Sequence, residues 1–262
     1  MEKIKKGKLR ILAVISLILS IFWGCSEKRT PPFSFPIALC NIMDIFPDWG
    51  LDTLIVYSHY GGFIDTDTSF IYPTLFVIKP DGSGNRRIFD GIGDHPDISP
   101  DGKKILFMKK HKTIWMINAD SSNERYITEG RYPSWSPSGD RIVCVKDDKL
   151  VIIDTMGNVC KVLLKEPASY PVSYPAWSPN GDEIAFSIRP YIYILDTTGH
   201  NLRKLTTGKM PAWSPDGEKI VFSDVTEKIV QGEALIYNES LFIINADGTG
   251  RRQLIEYHLV FP

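Results

Sequence analysis

Cysteine is scarce, with four in 262 residues. Cys25, Cys40, Cys144 and Cys160 stand at unrelated spacings, so neither a disulfide framework nor a zinc site can be read from them. The five histidines, at 59, 95, 111, 200 and 258, are scattered. There is no G-x-S-x-G elbow, no H-E-x-x-H helix and no P-loop, so the familiar hydrolase, metalloprotease and nucleotide-binding signatures are missing. An excess of basic charge is missing too: the formal net charge is −1. A concentrated basic face is what nucleic acid needs, and no nucleic-acid partner is expected. No cofactor or metal is expected either.

No apolar run is long enough to cross a membrane as a helix. The longest, Ile11–Trp23, falls short of the roughly 20 residues that a bilayer requires. It follows Lys3, Lys5, Lys6, Lys8 and Arg10 and ends at Gly24-Cys25, which gives it the layout of a secretory signal. Gly24-Cys25 resembles the bacterial lipoprotein processing site. That resemblance implies cleavage after residue 24, lipid on Cys25 and a membrane-anchored protein facing the periplasm or the cell exterior. Ser26 after the cysteine implies sorting to the outer membrane in a cell that has two. The alternative is an uncleaved short anchor. Without residues 1–24 the chain is more acidic, at about −5.

What the sequence has in abundance is self-similarity. YPSWSPSGDRIVCV starts at Tyr132, YPAWSPNGDEIAFS at Tyr174 and MPAWSPDGEKIVFS at Met210, with divergent copies at His95 and Phe46. A second block recurs five times without gaps, from Thr74, Thr113, Lys149, Tyr191 and Ser240. Each copy reads as four strands, A to D. Pro-x-Trp forms A, Ser-Pro-Asp-Gly turns the chain because Pro presets φ and Gly accepts a positive one, and Ile-Val-Phe-Ser forms B. Strand C is apolar at nearly every position, as in Leu241-Phe242-Ile243-Ile244, and so suits burial on both faces. A further turn leads to D. One such sheet cannot bury both faces alone, so the copies must stack. The fold class expected is all-β, a β-propeller of four-stranded antiparallel blades, with five blades and six as the alternative. The domain spans 46–262, preceded by a linker over 25–45 that could supply a ring-closing strand.

Pro211-Ala212-Trp213-Ser214-Pro215-Asp216-Gly217, followed by Asn245-Ala246-Asp247-Gly248, resembles the WD40-like repeat of the TolB propeller. The resemblance runs from about residue 46 to 255. It implies a non-enzymatic binding or scaffolding protein of the cell envelope with a protein or carbohydrate partner. The same repeats also precede the catalytic domain of prolyl-oligopeptidase-type peptidases, which leaves a detached propeller acting with a separate catalytic chain open. A propeller lyase or hydrolase with its site at the channel mouth is the other alternative.

Two columns recur through the repeats, Trp49, Trp135, Trp177, Trp213 and Tyr57, Phe107, Cys144, Phe186, Phe222, and both are expected in the core. Cys160, aligned with Leu202, is expected to be a small buried hydrophobe. The Asp-Gly turns lack the spacing of a calcium loop, and turn chemistry suffices for them. The B-to-C loops lengthen at about 59–73 and 224–239, and in a five-bladed ring blades 1 and 5 would bring them together. The candidate ligand face is therefore His59, Tyr60, Asp65, Asp67, Tyr72 and Tyr237, with the strand-A openers His95, Tyr132 and Tyr174 beside Phe46 and Met210. Among these His95 is the residue whose approach to His59 and His258 would signal a metal site.

Overall fold

The computed structural model describes residues 43–50, 54–64, 71–89, 91–110, 112–165, 170–230 and 234–254. For 43–45, 49–50, 61–64, 71–72, 226–230 and 234–239 the backbone alone is described. These residues form five four-stranded antiparallel sheets, the blades of a β-propeller, with no helix among them. Blade 1 is β1 (Met43–Gly50), β2 (Leu54–Ile64), β3 (Ile71–Ile78) and β4 (Arg86–Arg87). Blade 2 is β5 (Asp94–Ile98), β6 (Lys104–Lys109), β7 (Thr113–Asn118) and β8 (Arg125–Glu129). Blade 3 is β9 (Arg131–Trp135), β10 (Arg141–Lys146), β11 (Lys149–Asp154) and β12 (Val159–Leu164). Blade 4 is β13 (Val172–Trp177), β14 (Glu183–Ile188), β15 (Tyr191–Asp196) and β16 (Arg203–Thr207). Blade 5 is β17 (Lys209–Trp213), β18 (Lys219–Val230), β19 (Ala234–Asn245) and β20 (Arg252–Gln253). The chain divides inside β8 into two compact units, Met1–Tyr126 and Ile127–Pro262.

The A-to-B turns show why the repeat is written Ser-Pro-x-Gly. The amide of Gly102 donates to the carbonyl of Ser99 at 2.8 Å, and Ser178 and Ser214 hold Gly181 and Gly217 in the same way. Each glycine sits at positive φ, 71°, 81° and 73°, where a side chain would be strained. The serine is buried, and its hydroxyl accepts from the backbone N–H of Lys104, Glu183 or Lys219 at 2.9 Å. It donates in turn to the side chain of Asp101, Asn180 or Asp216. One short, buried hydroxyl thus satisfies the first N–H of strand B and ties the turn side chain to it.

The core lies between blades, as stacking requires. In the first unit Val56, Leu75 and Val77 pack with Ile98, Ile105 and Phe107. In the second, Val143, Val145 and Ile152 pack with Ile184, Phe186 and Leu195, and Ile192 and Ile194 with Ile220, Phe222 and Ile244. The column of Tyr57, Phe107, Cys144, Phe186 and Phe222 is buried throughout.

Three expectations need correction. The lengthened B-to-C segments continue as strand: β2 and β3 pair out to Ile64 with Ile71, and β18 and β19 to Val230 with Ala234. Val225, Thr226, Ile229, Val230, Leu235 and Ile236 are strand-forming residues, and a ladder satisfies backbone groups that a loop would leave to water. Trp135 is sealed, but Trp177 and Trp213 are only half-buried. Cys160 is exposed, because β12 is the outer strand of its blade and turns Val159–Val162 to solvent.

Candidate functional site

Each blade opens on the same irregularity. On β5, Asp94 pairs with Met108 and Asp97 with Leu106, so one extra residue is inserted in strand A. The same shift occurs between Ile45 and Asp48, between Arg131 and Ser134, between Ser173 and Ala176, and between Lys209 and Ala212. The inserted residue always precedes a proline: Phe46, His95, Tyr132, Tyr174 or Met210. Proline suits a bulge because it has no N–H to leave unpaired. The five preceding residues lie at φ of 52°, 49°, 54°, 52° and 55°, a left-handed conformation that bulky side chains rarely adopt.

In the first unit these bulges stack Phe46 on His95, with ring centroids 3.9 Å apart. Beside them the buried carboxylate of Asp94 accepts from the Tyr60 hydroxyl at 2.9 Å and from the His95 amide at 2.8 Å, and lies 3.1 Å from His95 Nδ1. Burial raises the Asp94 carboxyl, but the hydrogen bonds and charge of His95 and the Tyr60 hydroxyl outweigh it, and the pKa falls below the ordinary carboxylate value. His59 packs edge-on against Phe76 at 5.2 Å. In the second unit the Tyr132 and Tyr174 rings lie against each other, tilted by 41° with centroids 4.5 Å apart, and the Met210 amide donates to the Ser187 hydroxyl at 3.2 Å.

The structure therefore joins Tyr60 to His95 and Tyr132 to Tyr174. Asp65, Asp67, His258 and Cys25 lie outside the described residues, and Tyr72 and Tyr237 are placed by backbone only, on β3 and β19. Asp94 escaped the sequence reading because the aligned position holds Ile45, Arg131, Ser173 and Lys209 in the other blades. A lone carboxylate directly before the lone histidine of the column was the available signal. Among the described residues no three His, Cys, Asp or Glu side chains group as metal ligands. The carboxylates of the turns accept from their own neighbours, Asp101 from Lys103 N at 3.1 Å and Asp247 from Thr249 N at 2.8 Å.

No family model matches the chain. Its fold is that of TolB propellers. TolB from Acinetobacter baumannii superposes with a TM-score of 0.62 and 21% identity, over 80% of this chain and 53% of that one. A TolB candidate from Agrobacterium tumefaciens gives 0.62 and 19%, over 82% and 81%. An oligogalacturonate lyase in complex with manganese gives 0.53 and 14%, over 78% and 62%. In sequence, an uncharacterized protein of Agrobacterium fabrum is 35% identical over 28% of each chain. This chain thus spans about half the length of the A. baumannii TolB, and the similarity to solved structures establishes fold alone.

Proposed function

We propose that this chain is an exported, lipid-anchored envelope protein that binds a protein partner through the strand-opening end of the second unit's blades, where Tyr132 lies against Tyr174. One observation carries the reading: five bulky residues held at positive φ, each at an X-Pro bulge. Such conformations cost of order 1–3 kcal/mol each and persist only where the surroundings impose them. Four of the five are aromatic or imidazole rings, and rings are the side chains that dominate protein contacts. The TolB-type fold supports a non-enzymatic envelope role. Affinity capture from envelope extracts should recover a protein with the wild type and lose it with Tyr132→Ser/Tyr174→Ser. Equal recovery by the double variant would sink the reading. The anchor rests on Gly24-Cys25. A metabolically supplied fatty-acid analogue should tag the wild type and leave Cys25→Ser unlabelled.

A second reading, a channel-mouth enzyme, draws on one observation, the buried Asp94 beside His95 and Tyr60. A carboxylate oriented on a histidine is the arrangement of a general base. Turnover of an oligogalacturonate by the wild type, abolished in Asp94→Asn, would establish it in place of the first.

A further inference from the structure

A different site lies at the other end of the blades, inside the second unit. The A-to-B turns of blades 3 and 4, the strands β11 and β12 and the turn after β15 line a shallow, open groove of about 450 Å³. Trp177, half-buried, lines it. Its siblings differ: Trp135 is sealed, and the equally half-buried Trp213 donates its indole N–H to the Ala176 carbonyl at 3.2 Å. The Trp177 indole N–H is itself shielded from solvent and has no acceptor among the described residues, so the open part of the ring is carbon. Cys160, on the outer strand of blade 3, lines the same groove.

The two charged side chains that line the groove are cationic, although Asp140 and Asp182 accept from its Ser138 and Asn180. Arg141 and Lys161 both line it and both are exposed, while none of the lining residues is acidic. The nearest carboxylate paired with them, Asp140, lies 3.7 Å from Arg141 Nη1, with side-chain exposures of 45% for Arg141 and 59% for Asp140. A pair so solvated neutralises little. Thr197, with Ser136, Ser138 and Asn180, completes the lining. A flat carbon face, two cations and neutral polar residues match a sugar ring, whose C–H face is apolar, whose rim is hydroxylated and whose substituent is a carboxylate. We propose that this groove binds a short acidic saccharide, independently of the strand-opening face.

Cys160 makes the test direct, because its exposed thiol lines the groove. The full chain would be alkylated with and without trigalacturonate, and modification of Cys160 followed by mass spectrometry of its peptide. At saturating trigalacturonate the Cys160 rate should fall at least about tenfold, while maltotriose, a neutral trisaccharide, leaves it unchanged. In Arg141→Gln/Lys161→Gln the protection should disappear, each rate being referred to that variant's own free rate. Binding at the strand-opening face, or turnover there, would not protect Cys160. The proposal is overturned if millimolar trigalacturonate gives no protection, if maltotriose protects equally, if a tripeptide with a free carboxylate protects where the saccharide does not, or if the double variant stays protected.

Discussion

Phe186 has no exposed surface and lies between the sheets of blades 3 and 4, against Val143, Ile152 and Leu195. Truncating it leaves a cavity that rigid neighbouring sheets cannot close, so Phe186→Ala should cost about 3–5 kcal/mol by chemical denaturation. Trp177→Ala should cost less, about 1–2 kcal/mol, since the indole is half-exposed and its N–H makes no bond among the described residues that would be lost. A larger loss for Trp177 than for Phe186 would mean that the tryptophan column carries the core. The two described cysteines make a second contrast. Burial pushes the Cys144 thiol up to about 12, Lys146 opposing it weakly, whereas Cys160 is exposed. Alkylation at pH 8 should therefore modify Cys160 in the native protein and reach Cys144 only after denaturation. Repetition made the Phe186 column legible in the sequence. It could not distinguish an inner strand from an outer one, so Cys160 was misplaced by its alignment with Leu202, itself 48% exposed.

The elements are held by their turns, and these give two further tests. Gly157 follows β11 at φ 92°, and a Cβ there would collide with the Ile127 carbonyl oxygen. Gly181 has a similar φ of 81°, but its Cβ would meet only Pro137, at 4.0 Å. Both alanine variants carry backbone strain, so Gly157→Ala should lower the melting temperature clearly further than Gly181→Ala. The turn carboxylates test pH. A Ser214 hydrogen bond and the Glu218 amide hold the Asp216 carboxyl below its usual value, and Thr198 and the His200 amide hold Asp196 down to about 2. A carboxyl whose folded pKa lies below the unfolded one stabilises the fold above roughly pH 4 and ceases to as pH falls through the folded value. Stability should therefore decline between about pH 4 and pH 2. Asp216→Asn should cost under about 1 kcal/mol at pH 7, because Asn180 fills the same turn position natively, and its deficit should shrink on acidification. The Ser-Pro-x-Gly turns were readable to the residue. The hairpin extensions of β2–β3 and β18–β19 were not, since Gly61-Gly62 and Gln231-Gly232 read as loop signals while the flanking ladder depends on pairing across the chain.

At the scale of the molecule, a repeated sequence yields a repeated defect. Sheets stacked within each unit account for the buried columns, and five X-Pro bulges place large side chains at positive φ at the strand-opening ends. Packing does not require that choice, since glycine would relieve the backbone at every one of these positions. The sequence showed which residues open each strand. It did not show that the opener is an inserted residue, because a bulge is defined by what the partner strand pairs with, as Asp94 and Asp97 do with Met108 and Leu106. Asp94, the carboxylate that fixes His95, stayed hidden for the same reason: its role depends on Tyr60, brought in from the neighbouring blade.

Protein binding at the strand-opening end of the second unit's blades is tested by site-specific photo-crosslinking in envelope-containing cells. A benzophenone side chain replacing Tyr174, at a bulge, should trap a discrete envelope protein, and the same group replacing Leu202, exposed at the outer edge of the same blade, should trap none. Crosslinks from position 202 with none from position 174 would contradict the account.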